Sequence, residues 1–257
     1  MAFSPIGADG GPRAVLLDAH GTLVELDDPV ARLTGLLARA GAPFAPSRVE
    51  AAFRAEVAHY RRHYLDGRDA SSLEALRARC ARVFAEALGP GAPAAPVAQR
   101  VLSEGVFRLL PGARGALECL AGAGFRLAVV SNWDCSLDRT LADLGVARFF
   151  AAVVTSARVG VEKPDPAVFR AALEAVGVAP GRAVMCGDDP VRDGEGALAV
   201  GIRPVLVGVA PAGGAARRFA WIGSVADLCP LLGAGGAPSA GHGREAQEGG
   251  EGLLELG

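Results

Sequence analysis

The stretch LLDAHGTLVE, residues 16–25, carries the first side chains that could do chemistry. Two leucines lead into Asp18, and a turn at Gly21–Thr22 follows. A short apolar run that ends in an aspartate and a turn is typical of a buried strand that delivers a carboxylate to the edge of a sheet. A carboxylate held there can act as a nucleophile. Asp18 is therefore the first candidate for a catalytic residue.

Three later stretches place polar side chains after apolar runs in the same way. Ser131 and Asn132 end the run RLAVVSN, and Lys163 lies in the loop between AAVVTS and a predicted helix. The run AVMCG is followed by the acids Asp188, Asp189 and Asp193. Because ligands of open parallel sheets bind beyond the carboxyl ends of the strands, we expect all these side chains to converge on one rim.

Two of these residues are unique in the sequence. Lys163 is the single lysine among 26 basic residues, and Asn132 is the single asparagine. The compact ammonium of lysine does not substitute for the forked guanidinium of arginine. In a chain so rich in arginine, a lysine at a strand-end loop indicates a functional role for Lys163.

The elements that must position these residues alternate along the second half of the chain. Short aliphatic strands are predicted at 126–131, 151–156, 183–188 and 204–208. Helices are predicted at 113–123, 136–144, 166–177 and 193–200. Strands that are apolar along their whole length are typical of a parallel sheet covered on both faces. We therefore predict an α/β fold.

About 80 residues with helical patterning separate the first strand from the others. Asp28 predicts the start of a first helix, and capping boxes at 47–50 and 71–74 predict the starts of the next two. A fourth helix is expected over 97–109, after a linker at 89–96. The first strand thus belongs to a sheet whose other strands follow a helical insert.

Composition limits the classes of partner. The chain of 257 residues is 51% hydrophobic with a net charge of −2, so it can bury a core and has no overall bias toward nucleic acid or acidic membranes. It contains no apolar run of about 18 residues and no secretory signal pattern. Residues 1–12 are predicted to be a flexible leader and 233–257 a disordered tail.

The five cysteines are scattered, odd in number and without a C-x-x-C motif. This usage favours reduced thiols, which are typical of a cytoplasmic protein. We therefore expect a cytoplasmic location.

The stretches LLDAHGTL, VVSNWD, EKPDPAVF and MCGDDPVRD, in this order, resemble the haloacid dehalogenase (HAD) superfamily of hydrolases. The likeness is to a subfamily with a helical cap inserted after the first core strand. It covers residues 13–26 and 108–232 as the core and places an all-helical cap at 27–107. It implies a Rossmann-like parallel sheet, an aspartyl-enzyme intermediate and Mg²⁺ as cofactor.

The resemblance also implies a role for each matching residue. Asp18 is expected to attack phosphorus, Ser131 to bind the transferring phosphoryl group, and Lys163 to neutralise the developing charge. Asn132 is expected to orient the substrate or its loop, and Thr22 to contact the substrate. These roles agree with the need of phosphoryl transfer for positioning and cationic stabilisation.

The implied metal site uses oxygen ligands, which Mg²⁺ prefers. Asp18 and Asp188 are the expected carboxylate ligands, and the backbone carbonyl of His20 is a third. Asp193 is expected to complete the site, with Asp189 as the alternative. Without a cation, Asp18 and Asp188 would repel each other and an incoming phosphate.

At position 20 the sequence departs from the family pattern, in which an aspartate there serves as acid and base. Three interpretations are open. The imidazole of His20, which titrates near about pH 6.5, replaces that aspartate. Alternatively, the side chain is inactive and the phosphoenzyme breaks down slowly, which gives a slow or non-catalytic phosphate-binding protein. In the third, the chain resembles metal-independent 2-haloacid dehalogenases, whose fourth motif lacks the Gly-Asp-Asp found here.

The expected function is Mg²⁺-dependent hydrolysis of small organic phosphate esters. The substrate is a phosphorylated small molecule, no nucleic acid or membrane partner is expected, and the oligomeric state stays open. Arg61, Arg62 and Arg68 of the predicted insert are candidates for selecting an anionic substrate. His59 and His63 share a helical face but have no third metal ligand nearby in sequence.

Overall fold

The computed structural model describes residues 13–103, 107–210 and 218–233. The predicted leader at 1–12 lies outside these ranges. So does the predicted tail, apart from residue 233.

A six-stranded parallel sheet forms the centre of the described chain. Its strands are β1 (Arg13–Leu17), β4 (Phe125–Ser131), β5 (Phe150–Thr155), β6 (Ala183–Gly187), β7 (Arg203–Val207) and β8 (Ala220–Ile222). The spatial order is β5-β4-β1-β6-β7-β8, so β1 pairs with β4 on one side and β6 on the other. The predicted α/β fold with a Rossmann-like parallel sheet is confirmed.

A second, two-stranded sheet joins β2 (Val24–Leu26) and β3 (Phe107–Leu109) in antiparallel register. Between these strands the chain forms α1 (Pro29–Arg39), α2 (Pro46–His63), α3 (Ala70–Leu88) and α4 (Ala95–Ser103). We call these four helices the four-helix segment. It has an apolar core of its own, which includes the fully buried Leu33, Val49 and Phe84.

Both faces of the central sheet are covered. Alternate residues of β1 point to opposite faces: Val15 and Leu17 join one apolar cluster, whereas Ala14 and Leu16 join the other. The first cluster includes residues of α5 (Ala113–Gly122), α6 (Leu137–Asp143) and α10 (Leu228–Leu231). The second includes α7 (Ser156–Val159), α8 (Pro166–Val176) and α9 (Gly196–Ala199).

The predicted caps of two helices are wrong by a few residues. α2 begins at Pro46 and has no side-chain cap, so the predicted capping box at 47–50 does not form. The fixed φ of proline suits the first position of a helix, and the helix therefore starts one residue before Ser47. The capping box of α3 is formed by Asp69 and Ser72 instead of residues 71–74. The cap of α1 by Asp28 is confirmed, since its side chain accepts from the Ala31 N–H at 3.2 Å.

Two other predicted helices have wrong bounds. The helix expected over 97–109 ends at Ser103, and residues 107–109 form β3 because they pair with β2. The helix expected over 193–200 is preceded by a π-helical turn, Pro190–Glu195, and only Gly196–Ala199 is α-helical. Tertiary pairing and an N-terminal proline outweigh local propensity at these places.

Cys119 of α5 and Cys229 of α10 form a disulfide, with a Cα–Cα distance of 6.3 Å. The expectation that all five cysteines are reduced is therefore wrong for this pair. The two residues are 110 positions apart, so only the packing of α5 against α10 brings them together. Cys80, Cys135 and Cys186 are free thiols. The cysteines thus give no support to a cytoplasmic location.

No helix in the described ranges has the length and hydropathy that a membrane-spanning segment needs.

Replacing Phe84 by alanine tests the separate core of the four-helix segment. Phe84 is fully buried, so Phe84→Ala is expected to lower the free energy of unfolding by about 3–5 kcal/mol. Urea unfolding followed by circular dichroism measures this loss. The control is Val209→Ala at a residue that is 94% exposed, where we expect a change within about 0.5 kcal/mol. Equal, small effects of both substitutions would contradict a packed helical core.

Candidate active site

Asp18 follows β1 directly and lies at the centre of the strand-end rim. Its backbone N–H donates to the Cys186 carbonyl of β6 at 2.9 Å, which continues the pairing of the two strands. Its carboxylate is buried, and Oδ1 accepts from the Ser131 hydroxyl at 2.9 Å and from the Lys163 ammonium at 2.6 Å. Three of the predicted site residues thus meet at one oxygen atom.

Lys163 is only 2% exposed and donates all three of its ammonium protons. The acceptors are Asp18 Oδ1 at 2.6 Å, Asp193 Oδ1 at 2.6 Å and the Val130 carbonyl at 2.9 Å. Burial alone lowers the pKa of Lys163, but the charges of Asp18 and Asp193 outweigh it and raise the pKa above its usual value. Lys163 is therefore a permanent buried cation between two carboxylates.

Asn132 holds the loop that carries this lysine. Its side-chain carbonyl accepts from the Lys163 backbone N–H at 2.7 Å, and its amide donates to the Lys163 carbonyl at 3.1 Å. The side-chain amide of Asn132 thus uses both its donor and its acceptor on the backbone of Lys163. In this arrangement Asn132 orients its loop, which is one of the two roles expected for it.

Three carboxylates come together as a candidate metal centre. Oxygen atoms of Asp18, Asp188 and Asp193 lie within 4.8 Å of one another. Among the residues that the structure describes, no other group of three acidic, histidine or cysteine side chains converges in this way. The His59–His63 pair accordingly lacks a third ligand there.

The pKa values of two of these acids reflect the crowding of negative charge. Burial and the charge of Asp18 raise the pKa of Asp188. Burial also raises the pKa of Asp193 to about 6, because it outweighs the opposing effect of Lys163. A bound divalent cation relieves such repulsion, so the donor set fits Mg²⁺.

Two glycines allow these acids to approach the backbone. A Cβ atom on Gly187 would lie 2.2 Å from the Asp193 carboxyl group, and one on Gly21 would lie 2.3 Å from Asp188 Oδ2. Gly21 also has a φ of +83°, which favours glycine. The positions of Asp188 and Asp193 therefore require glycine in the turn after Asp18 and at the end of β6.

The three remaining predicted site residues, His20, Thr22 and Asp189, differ in burial and in hydrogen bonding. His20 is exposed and borders a large cavity. Thr22 is fully buried, and its hydroxyl has no hydrogen-bond partner among the described residues. Asp189 accepts from the Val191 and Arg192 N–H groups at 2.8 and 2.9 Å, so it caps the π-helical turn and does not join the three-carboxylate group.

This cavity, of about 910 Å³, lies between the strand-end rim and the four-helix segment. His20, Asn132 and Trp133 line it from the rim, and Tyr60 and Arg61 line it from α2. The predicted substrate-facing residues Arg62 and Arg68 are not among its lining residues. The cavity is large enough for a small organic molecule.

Several contacts between the rim and residues 60–67, at the end of α2 and just after it, were not predicted from the sequence. The Tyr60 hydroxyl donates to Asp134 Oδ2 at 3.0 Å, and the Tyr64 hydroxyl donates to Glu162. The Cys135 N–H donates to the Gly67 carbonyl at 2.8 Å. Both tyrosines belong to the apolar stripe that the sequence predicts for this helix, although Tyr64 lies just beyond the end of α2. Such a stripe predicts core packing and gives no sign of polar partners.

Comparison with known proteins places these features in a family. Residues 12–201 match the family model described as haloacid dehalogenase-like hydrolase. The chain is similar to the phosphoserine phosphatase of Thermus thermophilus, with 38% identity over 76% of this chain and 88% of the relative. It is also similar to the haloacid dehalogenase-like hydrolase domain-containing protein 3 of Mus musculus, with 35% identity over 76% of this chain and 81% of the relative.

A solved structure with the same fold is that of a 2-haloacid dehalogenase from Pseudomonas syringae pv. Tomato DC3000. It superimposes with a TM-score of 0.60 at 25% identity, and the alignment covers 87% of this chain and 99% of that one.

Removing the buried cation is expected to destabilise the protein. Lys163→Met leaves the buried Asp18 and Asp193 without their cationic partner, at a cost of about 3–5 kcal/mol in the free energy of unfolding. Arg54→Met, which removes an exposed ion pair with Glu50, is the control, with an expected loss below about 1 kcal/mol. Urea unfolding in the presence of a chelator measures both.

The loss in Lys163→Met is expected to depend on pH. An acid whose pKa is raised in the folded state binds a proton there more readily than in the unfolded chain, so stability falls as pH rises through the interval between the two pKa values. For Asp193 that interval extends from 3.8 to about 6 even with Lys163 present. We expect Lys163→Met to lower the free energy of unfolding less near about pH 5 than near about pH 7.5. A loss independent of pH would contradict the buried-charge explanation.

Proposed function

This chain belongs to the haloacid dehalogenase-like hydrolase family, and we propose that it is a Mg²⁺-dependent phosphatase acting on small organic phosphate esters through Asp18. The proposal rests above all on the three carboxylates of Asp18, Asp188 and Asp193 beside the buried Lys163. A relative of this chain is named a phosphoserine phosphatase, which supports a phosphorylated small molecule as substrate. We also propose residues 13–26 and 108–232 as the core and residues 27–107, which contain the four-helix segment, as the cap.

In the proposed first step, the carboxylate of Asp18 attacks phosphorus and the bond between phosphorus and the alcohol oxygen breaks. Lys163 and Ser131, both in contact with Asp18 Oδ1, leave Oδ2 as the attacking atom. Lys163 offsets the negative charge of Asp18 before attack. The product of this step is an aspartyl-phosphate and a free alcohol.

In the second step, water attacks the aspartyl-phosphate, and inorganic phosphate and Asp18 are released. We assign the proton transfers of both steps to His20. As imidazolium it gives a proton to the leaving alcohol oxygen, and as neutral imidazole it takes one from the attacking water. Its position at the cavity wall suits this role, because a side chain there can reach a leaving group.

The metal would be held by Asp18, Asp188 and Asp193 together with the backbone carbonyl of His20. A bound Mg²⁺ supplies electrostatic stabilisation of the phosphoryl oxygens. The chain's own contribution is a rigid set of oxygen donors whose mutual repulsion is offset on one side by Lys163. The same donor set argues against a metal-independent dehalogenase, which has no need of three converging carboxylates.

A slow phosphatase is the second candidate function. The observation that favours it is the exposure of His20, whose imidazole has no hydrogen bond to the described residues that would hold it in place. A mobile acid–base group leaves the aspartyl-phosphate long-lived, and the protein then acts mainly by binding phosphate.

Hydrolysis of p-nitrophenyl phosphate by the purified protein tests the proposed function. We expect turnover with Mg²⁺, loss of turnover with excess chelator, and a fall of at least about 10³-fold in Asp18→Asn, because the amide is a poor nucleophile. Circular dichroism checks that Asp18→Asn is folded. Turnover that survives chelation would contradict the metal requirement, and chloride release from 2-chloropropionate would then identify a dehalogenase.

Substitution of His20 separates the two candidates. If His20 is the acid, His20→Ala is expected to lower kcat about 10²–10⁴-fold for an alkyl phosphate and much less for p-nitrophenyl phosphate, whose leaving group needs no proton. Equal losses with both esters would exclude that role. If His20 is instead inactive, His20→Asp is expected to raise turnover, and acid-quenched gels with radiolabelled substrate would show less phosphoenzyme.

A further inference from the structure

Two loops of the rim hold Lys163 in place. One follows β4 and carries Asn132, and the other precedes α8 and carries Lys163 itself. The side chain of Asn132 bonds to both backbone groups of Lys163, so the position of the Lys163 backbone depends on where the two loops lie relative to each other. Each loop is also contacted from the four-helix side, by residues 60–67 at the end of α2 and just after it.

The loop after β4 is held at two points. The Tyr60 hydroxyl donates to Asp134 Oδ2 at 3.0 Å, and Asp134 lies two residues after Asn132 and is only 4% exposed. One residue further along, the Cys135 N–H donates to the Gly67 carbonyl at 2.8 Å. A Cβ atom on Gly67 would lie 2.9 Å from the Asp134 Cβ atom, so the two segments approach as closely as glycine allows. The loop is therefore fixed both through a side chain and through its backbone.

A second tyrosine holds the loop before α8. The Tyr64 hydroxyl donates to the carboxylate of Glu162, which directly precedes Lys163. Glu162 is an exposed residue and its carboxylate forms no salt bridge within the described chain, so this tyrosine is the partner that fixes it. Burial and the hydrogen bond to Glu162 raise the pKa of Tyr64, and the hydroxyl therefore keeps the proton that it donates.

The use of tyrosine in this sequence indicates a specific role for both hydroxyl groups. The chain contains ten phenylalanines and only two tyrosines, Tyr60 and Tyr64. Both rings belong to an apolar stripe, a position that phenylalanine fills without the need of a polar partner. The two hydroxyls instead bond to carboxylates on the two loops that carry Asn132 and Lys163. Each tyrosine thus adds a polar contact at a place where a shift of the loop would move Lys163.

A shift of Lys163 would change the electrostatics at Asp18. The Lys163 ammonium lies 2.6 Å from Asp18 Oδ1, and the interaction between two buried charges varies steeply with their distance. A misplacement of about 1 Å can lower the rate of a catalysed reaction about 10²-fold. Fixing the two loops therefore preserves the alignment on which the proposed reaction depends.

We propose that Tyr60 and Tyr64 are positioning residues that keep Lys163 aligned with the nucleophile. They act through the carboxylates that accept their hydrogen bonds, each of which belongs to one of the two loops. This inference rests on the proposed phosphatase function and adds a requirement to it, because the four-helix segment then completes the alignment of groups that the sheet supplies. The expected effect is on kcat, since an aligned Lys163 stabilises charge that develops during the reaction.

Lys163 is the single lysine of the chain, which allows its backbone to be observed alone. Selective ¹⁵N-lysine labelling gives one lysine amide signal, and the Lys163 N–H donates to Asn132 Oδ1 at 2.7 Å. We expect this amide to exchange with deuterium oxide at least about tenfold faster in Tyr60→Phe and in Tyr64→Phe than in wild type, because the released loop opens more often. Glu162→Ala is expected to act like Tyr64→Phe. Glu162→Gln, which keeps an acceptor for the Tyr64 hydroxyl, is expected to retain slow exchange.

Hydrolysis of p-nitrophenyl phosphate with Mg²⁺ measures the consequence for the reaction. We expect kcat to fall about 5–20-fold in Tyr64→Phe while KM stays within about twofold of wild type. Glu162→Ala is expected to lower kcat by the same factor, and the double variant to lower it no further, because both changes remove one hydrogen bond. Glu162→Gln is expected to keep kcat within about twofold of wild type.

Thr34→Val and Glu174→Ala are the matched controls. Thr34→Val removes a hydroxyl whose hydrogen bond, to the Val30 carbonyl at 2.7 Å, stays within α1. Glu174→Ala removes an exposed carboxylate of α8. Both controls are expected to keep the wild-type exchange rate and kcat. Circular dichroism checks folding, and Glu162→Ala, at an exposed residue, carries the test if a tyrosine variant is unstable.

The outcomes separate this inference from the proposed function. Unchanged Lys163 exchange in Tyr60→Phe, Tyr64→Phe and Glu162→Ala overturns the inference and leaves the phosphatase intact. Faster exchange without any fall in Asp18-dependent kcat overturns it as well, because the alignment then has no effect on the reaction. Absence of Asp18-dependent hydrolysis in the wild type overturns the phosphatase function, and faster exchange in the variants would still support the hold of the tyrosines on Lys163.

Discussion

The ammonium of Lys163, buried between the carboxylates of Asp18 and Asp193, is the interaction on which the rest of the site depends. Charges leave water at a high cost, and that cost is recovered only when opposite charges and hydrogen bonds meet them closely. Lys163 satisfies this condition with three acceptors. The loops after β1 and β6 and the loop before α8 are therefore fixed relative to one another by one cation, and Asn132 fixes the backbone that carries it.

This arrangement is asymmetric in charge. Asp18, Asp188 and Asp193 bring three carboxylates to a point where the described chain supplies one close cation. Lys163 compensates the charges of Asp18 and Asp193 on the buried side of the cluster. Asp188 lies on the solvent-exposed side, and burial and the charge of Asp18 raise its pKa. In the proposed function, a divalent cation would complete this balance from the solvent side. We propose that the site takes a metal and a phosphate together, each of which would lower the cost of binding the other.

The two parts of the chain contribute different properties to the site. The parallel sheet supplies the groups that we propose to react, and its strands are buried on both faces. The four-helix segment has a separate apolar core and contributes the wall of the cavity. Tyr60 and Tyr64 join the two parts through hydroxyl groups at the end of apolar rings.

The sequence by itself determined the α/β class and the rim residues Asp18, Ser131, Lys163, Asp188 and Asp193, because an apolar strand and the polar residue after it are neighbours in the chain. It did not reveal β2, β3 or β8, since three residues are too few to show a period. Only the tertiary structure decided the remote pairs, which are Cys119 with Cys229 and Tyr60 with Asp134. Local patterns report which face of an element is buried, whereas the partner it meets depends on how distant elements pack.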